Sequence, residues 1–363
     1  MRKILAVAVA GVLALTMNGC GRSTEPASGG ITGGEKGTIG VAMPTKTSQR
    51  WIKDGDSIKK ELEAAGYKVN LQYANDDIPT QVTQVNDMVT RGNQVMVVAS
   101  IDGTALAGVL KEAKEAGIPV IAYDRLLRST EAVDYYTTFD NAKVGELQAT
   151  SLVQGLEASG KPKPWNVELF AGSPDDNNAT FFFDGAMKVL QPMIDSGEIV
   201  IPSGETDFKT VATLRWDAAV AKKRMENVLT KSYSSTDVDG VLSPYDGLSR
   251  GIIAALKGSG YGSGEKKLPV ITGQDAEIES VKSIMDGEQH STVFKDTGEL
   301  AKATAKMIQE IAEDREVEVN DTESYDNGVK VVPTFLLDPV SVNESDIEQV
   351  LLDAGYYTEE ELG

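Results

Sequence analysis

The sequence predicts a doubly wound α/β fold made of two similar halves. Three observations carry that expectation. A unit of strand, amphipathic helix and closing glycine recurs along the chain; its strands are apolar without strict alternation; and the series starts afresh near residue 165. Strands that bury both faces belong to parallel sheets covered by helices, and the strand-to-strand spacing suits helical crossovers.

Taken in order, "TIGVAM" (38–43) is the first strand, and the segment 49–65 is a helix stopped at Gly66. "KVNLQYA" follows, then a helix over 80–91 with Gly92, the strand "VMVVAS", a helix over 105–116 with Gly117, and "IPVIAY". Glycine directly after an amphipathic run marks a left-handed C-cap. "YYTTFDNAKVGELQA" reads as a strand running into a long helix, the first crossing between halves. The second series is "VELFAGS" with a helix over 179–194, "EIVIP" with 216–229, "VDGVLSP" with 247–256, and "LPVITG" with 278–285. The expected divisions are 38–139 plus 296–331 for one lobe and 140–295 plus 332–363 for the other.

The 363 residues carry a formal charge of −20 with 41% hydrophobic and 25% charged residues, an ordinary globular composition. So acidic a chain repels nucleic acid phosphates and anionic membrane surfaces. Residues 1–19 read as an export signal: Arg2 and Lys3, then an apolar run too short for an ordinary transmembrane helix. Cys20, the single cysteine, follows "NG" and resembles the acylated cysteine of a bacterial lipoprotein, which would leave the membrane contact to a lipid anchor. Residues 20–37 are rich in Gly, Ser, Thr and Pro and read as a flexible tether.

"VIAYDRLLR" ends a buried strand on two adjacent charges, and the same happens throughout. After the strands come Asn75 and Asp76, Asp102, Asp124 and Arg125, the run from Asp175 to Asn178, Asp246, Gln274 and Asp275, and Lys295. Ligands of open parallel sheets bind beyond the carboxyl ends of the strands. Helix capping accounts for Asp76, Asp102 and one of Asp175 and Asp176, but poorly for the pairs Asp124-Arg125 and Gln274-Asp275. Carboxylates, amides and cations together suit a polyol, whose hydroxyls both donate and accept. An indole plate would complete such a site, and Trp51 and Trp216 are placed to flank one cleft.

The stretches "RWIKDGD", "YANDDIPTQVTQVNDMVTRG", "VIAYDRLLR", "AGSPDDNNATFFFDGAMKVL", "LSPYDGLSRGI", "ITGQDAEIESVKSI" and "STVFKDTGELA" resemble the periplasmic aldose-binding proteins of ABC transporters. The resemblance runs from Thr38 to the C-terminal region, nearest to the ChvE-type multiple-sugar-binding receptors and then to the xylose-binding proteins. It implies the type I periplasmic binding protein fold: two Rossmann-like lobes joined by three hinge crossovers. It also implies a monomer that closes over one monosaccharide and presents it to a membrane permease, in some members also to a chemoreceptor or sensor kinase. Carried over by motif, the ligand set would be Arg50, Trp51, Asp124, Arg125, Asn177, Asn178, Trp216, Asp246, Gln274, Asp275 and Lys295. The calcium loop of the glucose/galactose-binding branch is missing, so neither a metal nor a cofactor is expected.

Two other readings compete. "GLSRG" satisfies G-x-S-x-G, and Asp275 and His290, the single histidine, follow Ser249 in the chain order of an α/β-hydrolase. Against it, "PYD" occupies the expected elbow, which puts Ser249 inside the helix. "GSGYGSG" follows a helix instead of a strand and reads as a loop, not a phosphate cradle. A ligand-sensing transcription factor fails on the export signal and the missing helix-turn-helix.

Overall fold

The computed structural model describes residues 36–264 and 266–363. The expected export signal, Cys20 and the expected tether as far as residue 35 lie outside the described residues. The first series is β1 (Thr38–Met43), α1 (Gln49–Ala64), β2 (Lys68–Tyr73), α2 (Ile78–Thr90), β3 (Val95–Val98), α3 (Ala107–Glu115), β4 (Val120–Tyr123) and β5 (Tyr135–Phe139). It is followed by α4 (Asn141–Ala158), β6 (Trp165–Leu169), α5 (Asn177–Asp195), β7 (Ile199–Val200), α6 (Phe208–Val211), α7 (Ala218–Ser232), β8 (Gly240–Leu242), α8 (Asp246–Gly258), β9 (Val270–Ile271) and α9 (Ile278–Met285). The chain finishes with β10 (Ser291–Phe294), α10 (Thr297–Ala312), β11 (Thr334–Leu337), β12 (Val340–Asn343) and α11 (Glu359–Leu362).

One sheet has the order β11-β5-β4-β3-β1-β2, parallel throughout. A second, also parallel, runs β7-β6-β8-β9, and β10 pairs antiparallel with β12. The unalternating strands are covered on both faces, as their composition requires. Ile39, Val41 and Ile121 pack with Leu62 and Leu300 on one side of the first sheet, and Ala42, Val98 and Ala122 with Met88 and Leu110 on the other. In the second sheet Val167 and Leu169 meet Leu152 and Leu190, while Val241 meets Met225, Leu248 and Ile252. Gly66, Gly92 and Gly117 close α1, α2 and α3 at φ of 90°, 69° and 70°, a backbone that costs a side chain-bearing residue energy. Among the described residues no helix is long and apolar enough to cross a membrane.

The chain leaves the first sheet after β5, returns to it after β10 and leaves it again after β11, which is the type I periplasmic binding protein architecture. The last crossing departs from the expected boundary at 331/332. β11 pairs with β5 from Thr334↔Tyr136 to Leu337↔Phe139, and Val332 and Leu336 bury in the core beneath the first sheet. The crossing therefore lies between Leu337 and Val340.

Capping differs in detail too. The side chain that accepts from Thr80 N at the start of α2 belongs to Asp77, at 2.8 Å, which leaves Asp76 free for another task. Asp176 caps α5 through Asn178 N at 3.0 Å, and Asp102 accepts from Thr104 N at 2.7 Å.

α4 and α5 touch backbone to backbone. A Cβ on Gly145 would run into the carbonyl of Phe182, and one on Gly185 into the carbonyl of Ala142. This close approach seats Phe182 beside the cleft described below. Gly145→Ala should therefore destabilise the protein by about 1–3 kcal/mol or more through overpacking, read as a lowered midpoint in urea unfolding. An unchanged midpoint would show that the two helices separate freely.

Candidate functional site

The carboxyl ends of both sheets open into one cleft of about 440 Å³, within the range that holds small-molecule ligands. Arg50, Trp51, Asp124, Arg125, Asn178, Trp216, Gln274, Asp275 and Lys295 all line it. Asn177 and Asp246 do not. Asn177 and Asn178 are adjacent on the first turn of α5, about 100° apart around the helix axis, so only one can face inward. Asp246 is fully buried beneath the cleft, where it accepts from Glu277 N (2.9 Å), Gln289 Nε2 (2.9 Å) and Thr292 Oγ1 (3.1 Å).

The deepest part is an ion network. Arg50, on the first turn of α1, donates through Nε to Asp54 (3.0 Å), to the Asp124 carboxylate, and through Nη1 to Asp275 (3.4 Å). Lys295, at the end of β10, stands 3.1 Å from Asp275 and 3.9 Å from Asp124. Burial opposes ionisation of Asp124, but Arg50 and Lys295 outweigh it and hold its carboxyl below the usual range. Asp54 sits one turn from Arg50, accepts from Tyr123 OH at 2.6 Å, and is pushed up to about 6 by burial, with Arg50 pulling the other way. This i, i+4 pair is legible in "RWIKDGD", and the sequence reading passed over Asp54.

Asp124 is fixed from several directions. Its carbonyl accepts from Asn178 Nδ2 (2.6 Å), Tyr136 OH (2.6 Å) and Thr138 Oγ1 (3.1 Å). Arg125 bonds Ser100 O at 3.1 Å, pairs with Asp176 at 3.1 Å, and lies 5.0 Å from the centre of the Trp51 ring, as does Arg50. Trp216 is more exposed than Trp51 and meets Phe182 and Tyr245 edge-on at 6.3 and 6.0 Å. Phe182, Tyr245, Arg215 and Arg250 also line the cleft, and none was picked out from sequence.

Backbone strain gathers here as well. Asp76, Asp124, Arg215, Trp216 and Asp275 all line the cleft in the left-handed region, with φ between 56° and 89°. Side chain-bearing residues persist in that region only where the surroundings over-determine them, typically at ligand clamps.

The unused valences complete the picture. Trp216 Nε1, a donor, and Gln274 Oε1, an acceptor, are buried without hydrogen-bond partners. A buried polar atom left unpaired costs on the order of 1–3 kcal/mol, so the cleft is built for something that supplies both kinds of partner. Cations and carboxylates are near balance, which gives a charged ligand little preference. Among the described residues no cluster of His, Cys, Asp and Glu could hold a metal ion.

The hydrolase elbow is contradicted. Ser249 is fully buried inside α8, and its hydroxyl bonds Thr272 O (2.7 Å), Tyr245 O (3.0 Å) and Ser243 Oγ (2.8 Å). His290 is not among its partners; it lines a separate cavity with Gln289 and Glu344.

Asp246 is pushed up to about 8 by burial and then by the neighbouring Glu277 carboxylate, against its hydrogen bonds from Gln289 and Glu277 N and the charge of Arg250. An unfolded aspartate titrates near 3.9, so folding binds a proton across this window, and the Asp246 contribution to stability falls as pH rises from about 4 to about 8. Asp246→Asn should remove that slope and gain on the wild type as pH rises. Urea unfolding at about pH 5 and about pH 8 checks it, and parallel pH profiles for the two proteins would count against it.

The model of the periplasmic binding protein domain family matches residues 39–316. The chain is 59% identical over 328 residues to the multiple sugar-binding periplasmic receptor ChvE of Rhizobium radiobacter, covering 90% of this chain and 93% of the relative. It is 38% identical over 324 residues to the D-xylose-binding periplasmic protein of Escherichia coli (strain K12), covering 89% and 92%. A solved structure of an ABC transporter solute binding protein from Clostridium phytofermentans with bound β-D-glucose superposes with a TM-score of 0.85 at 44% identity, covering 90% of this chain and 100% of that one. The chain is therefore a member of the periplasmic binding protein family, on the branch of its sugar-binding receptors, and is a binding protein rather than an enzyme.

Proposed function

We infer that the protein captures one monosaccharide aldose between its two halves and delivers it to the permease of an ABC transporter. It works outside the cytoplasm, held to the membrane by a lipid on Cys20, and its closed form is also available to a chemoreceptor or sensor kinase where one exists. The observation that carries this reading is the Arg50–Asp124–Asp275–Lys295 cluster, with donors and acceptors to spare at the bottom of a charge-balanced cleft beside Trp216. A hydroxyl group uses both kinds of spare valence without importing net charge, and a sugar carries several around one ring. The apolar C–H face of a pyranose suits the indole.

The cluster also supplies the mechanism. Asp124 and Arg50 belong to the half built on the first sheet, Asp275 and Lys295 to the half built on the second, so a sugar gains its full set of contacts only when the halves meet. That difference in contacts stabilises the closed form, the form a permease can distinguish from the empty one.

A thermal-shift panel of D-glucose, D-galactose, L-arabinose, D-xylose, D-fucose and D-ribose tests it. A ligand bound only by the native state raises the melting temperature in step with its concentration, and D-glucose, the ligand of a relative, should do so. The reading is abandoned if no aldose in the panel shifts the transition.

A further inference from the structure

Outside the deep cluster lies a second set of charges that the sugar reading does not use. The Lys295, Asp124 and Asp275 side chains are 1%, 4% and 7% exposed, whereas those of Asp175, Arg215 and Asp76 are 14%, 29% and 40% exposed. This outer set sits at the mouth of the same cleft. Arg215 Nε is 3.3 Å from Asp175, which follows β6 of the second sheet, and its Nη1 is 3.8 Å from Asp76, which follows β2 of the first. One guanidinium thus spans the gap between the halves.

Its position is imposed by the backbone. Arg215 and Trp216 are consecutive left-handed residues, at φ 60° and 56°. The Arg215 amide donates to Ser173 Oγ at 2.7 Å, Ser173 bonds Asp175, and the Trp216 ring lies directly against Gly172. A single kink therefore turns the indole inward and the guanidinium across the opening. The Arg215 Nη1 atom is buried without a hydrogen-bond partner, so its tie to Asp76 is a pure charge contact.

We propose that Arg215 is a latch: by joining Asp76 to Asp175 across the mouth it sets how long a bound sugar stays, without recognising the sugar itself. This rests on the sugar-binding reading above. The Asp76–Arg215 tie joins residues of opposite halves and so exists only once the halves have met; removing it acts on reopening rather than on capture, and charge pairs of this exposure are individually weak.

The test is the release rate of radiolabelled D-glucose after a chase with excess unlabelled sugar, on the wild type, Arg215→Ala, Asp76→Ala and the double variant. Each single change should speed release about five-fold, the effect of a small charge network, and leave the association rate unchanged. The double variant should release no faster than the quicker single one, because both remove one contact. Arg215→Lys, which keeps the charge, should restore part of the slow release. KCl at about 1 M should speed wild-type release towards the variants and barely affect Arg215→Ala.

An unchanged release rate in Asp76→Ala, or additive effects in the double variant, overturns the latch. Asp76 is half-exposed and lies in the other half of the molecule, so its variant remains informative even if Arg215→Ala fails to fold. Absence of any glucose binding by the wild type would instead sink the sugar reading, which separates the two outcomes.

Discussion

Arg50→Ala should remove most sugar affinity and destabilise the empty protein as well. The guanidinium is 5% exposed and answers three carboxylates, Asp54, Asp124 and Asp275. Without it, Lys295 is the one cation left within 4 Å of Asp124 and Asp275 among the described residues, and Asp54 keeps its hydrogen bond from Tyr123. Taking one partner out of a buried ion network costs about 3–5 kcal/mol, because the remaining charges stay desolvated and uncompensated. Sugar affinity should fall by about 2–3 kcal/mol, roughly 30- to 150-fold, from the loss of charge-assisted bonds and of the fixed Asp124 geometry. Arg50→Lys should fall between the two, since an ammonium keeps the charge but cannot reach three carboxylates in a fork. Calorimetry and urea unfolding check both halves of the expectation, and wild-type values in either would remove Arg50 from the centre of the site.

Gly172→Ala is the second large effect, and here lost affinity should come with strain in the empty protein. A Cβ at Gly172 would fall inside the benzo end of the Trp216 ring. The ring cannot swing aside cheaply, because Trp216 is held in a left-handed backbone between Phe182 and Tyr245. The displaced indole should weaken sugar binding about ten-fold or more, at a strain of about 1–3 kcal/mol. The same strain should lower the melting temperature of the empty protein by a few degrees, because it is present whether or not a sugar is bound. If Gly172→Ala binds sugar as the wild type does, Trp216 is not the plate on which the ring lies.

The fold was legible because its signals are local. Glycine after an amphipathic run and apolar strands without alternation can be read within about fifteen residues. β11 was misassigned because its short run says nothing about which sheet has a free edge; its place depends on Val332 and Leu336 finding the first core. The same limit separates the parts of the cleft. Residues that directly follow a strand, such as Asp124 and Lys295, are carried to the rim by the fold itself. Asn177 and Asn178 differ only by a rotation about α5, and Asp246 starts its helix at the expected place yet turns its carboxylate down to Glu277 N. Arg215 and Phe182 had no readable signal: one depends on a two-residue backbone kink and the other on the contact of two helices at Gly145.

The distribution of tryptophan gives the protein a built-in optical report. Trp51 and Trp216 line the cleft, while Trp165 opens β6 at the amino end of its strand, 2% exposed and bonded through its indole N–H to Lys161 O. Two of three emitters thus sit where a ligand replaces water, and the third supplies a constant background. Occupancy should be visible in the ultraviolet emission of the unlabelled chain, with the change in signal arising at the cleft.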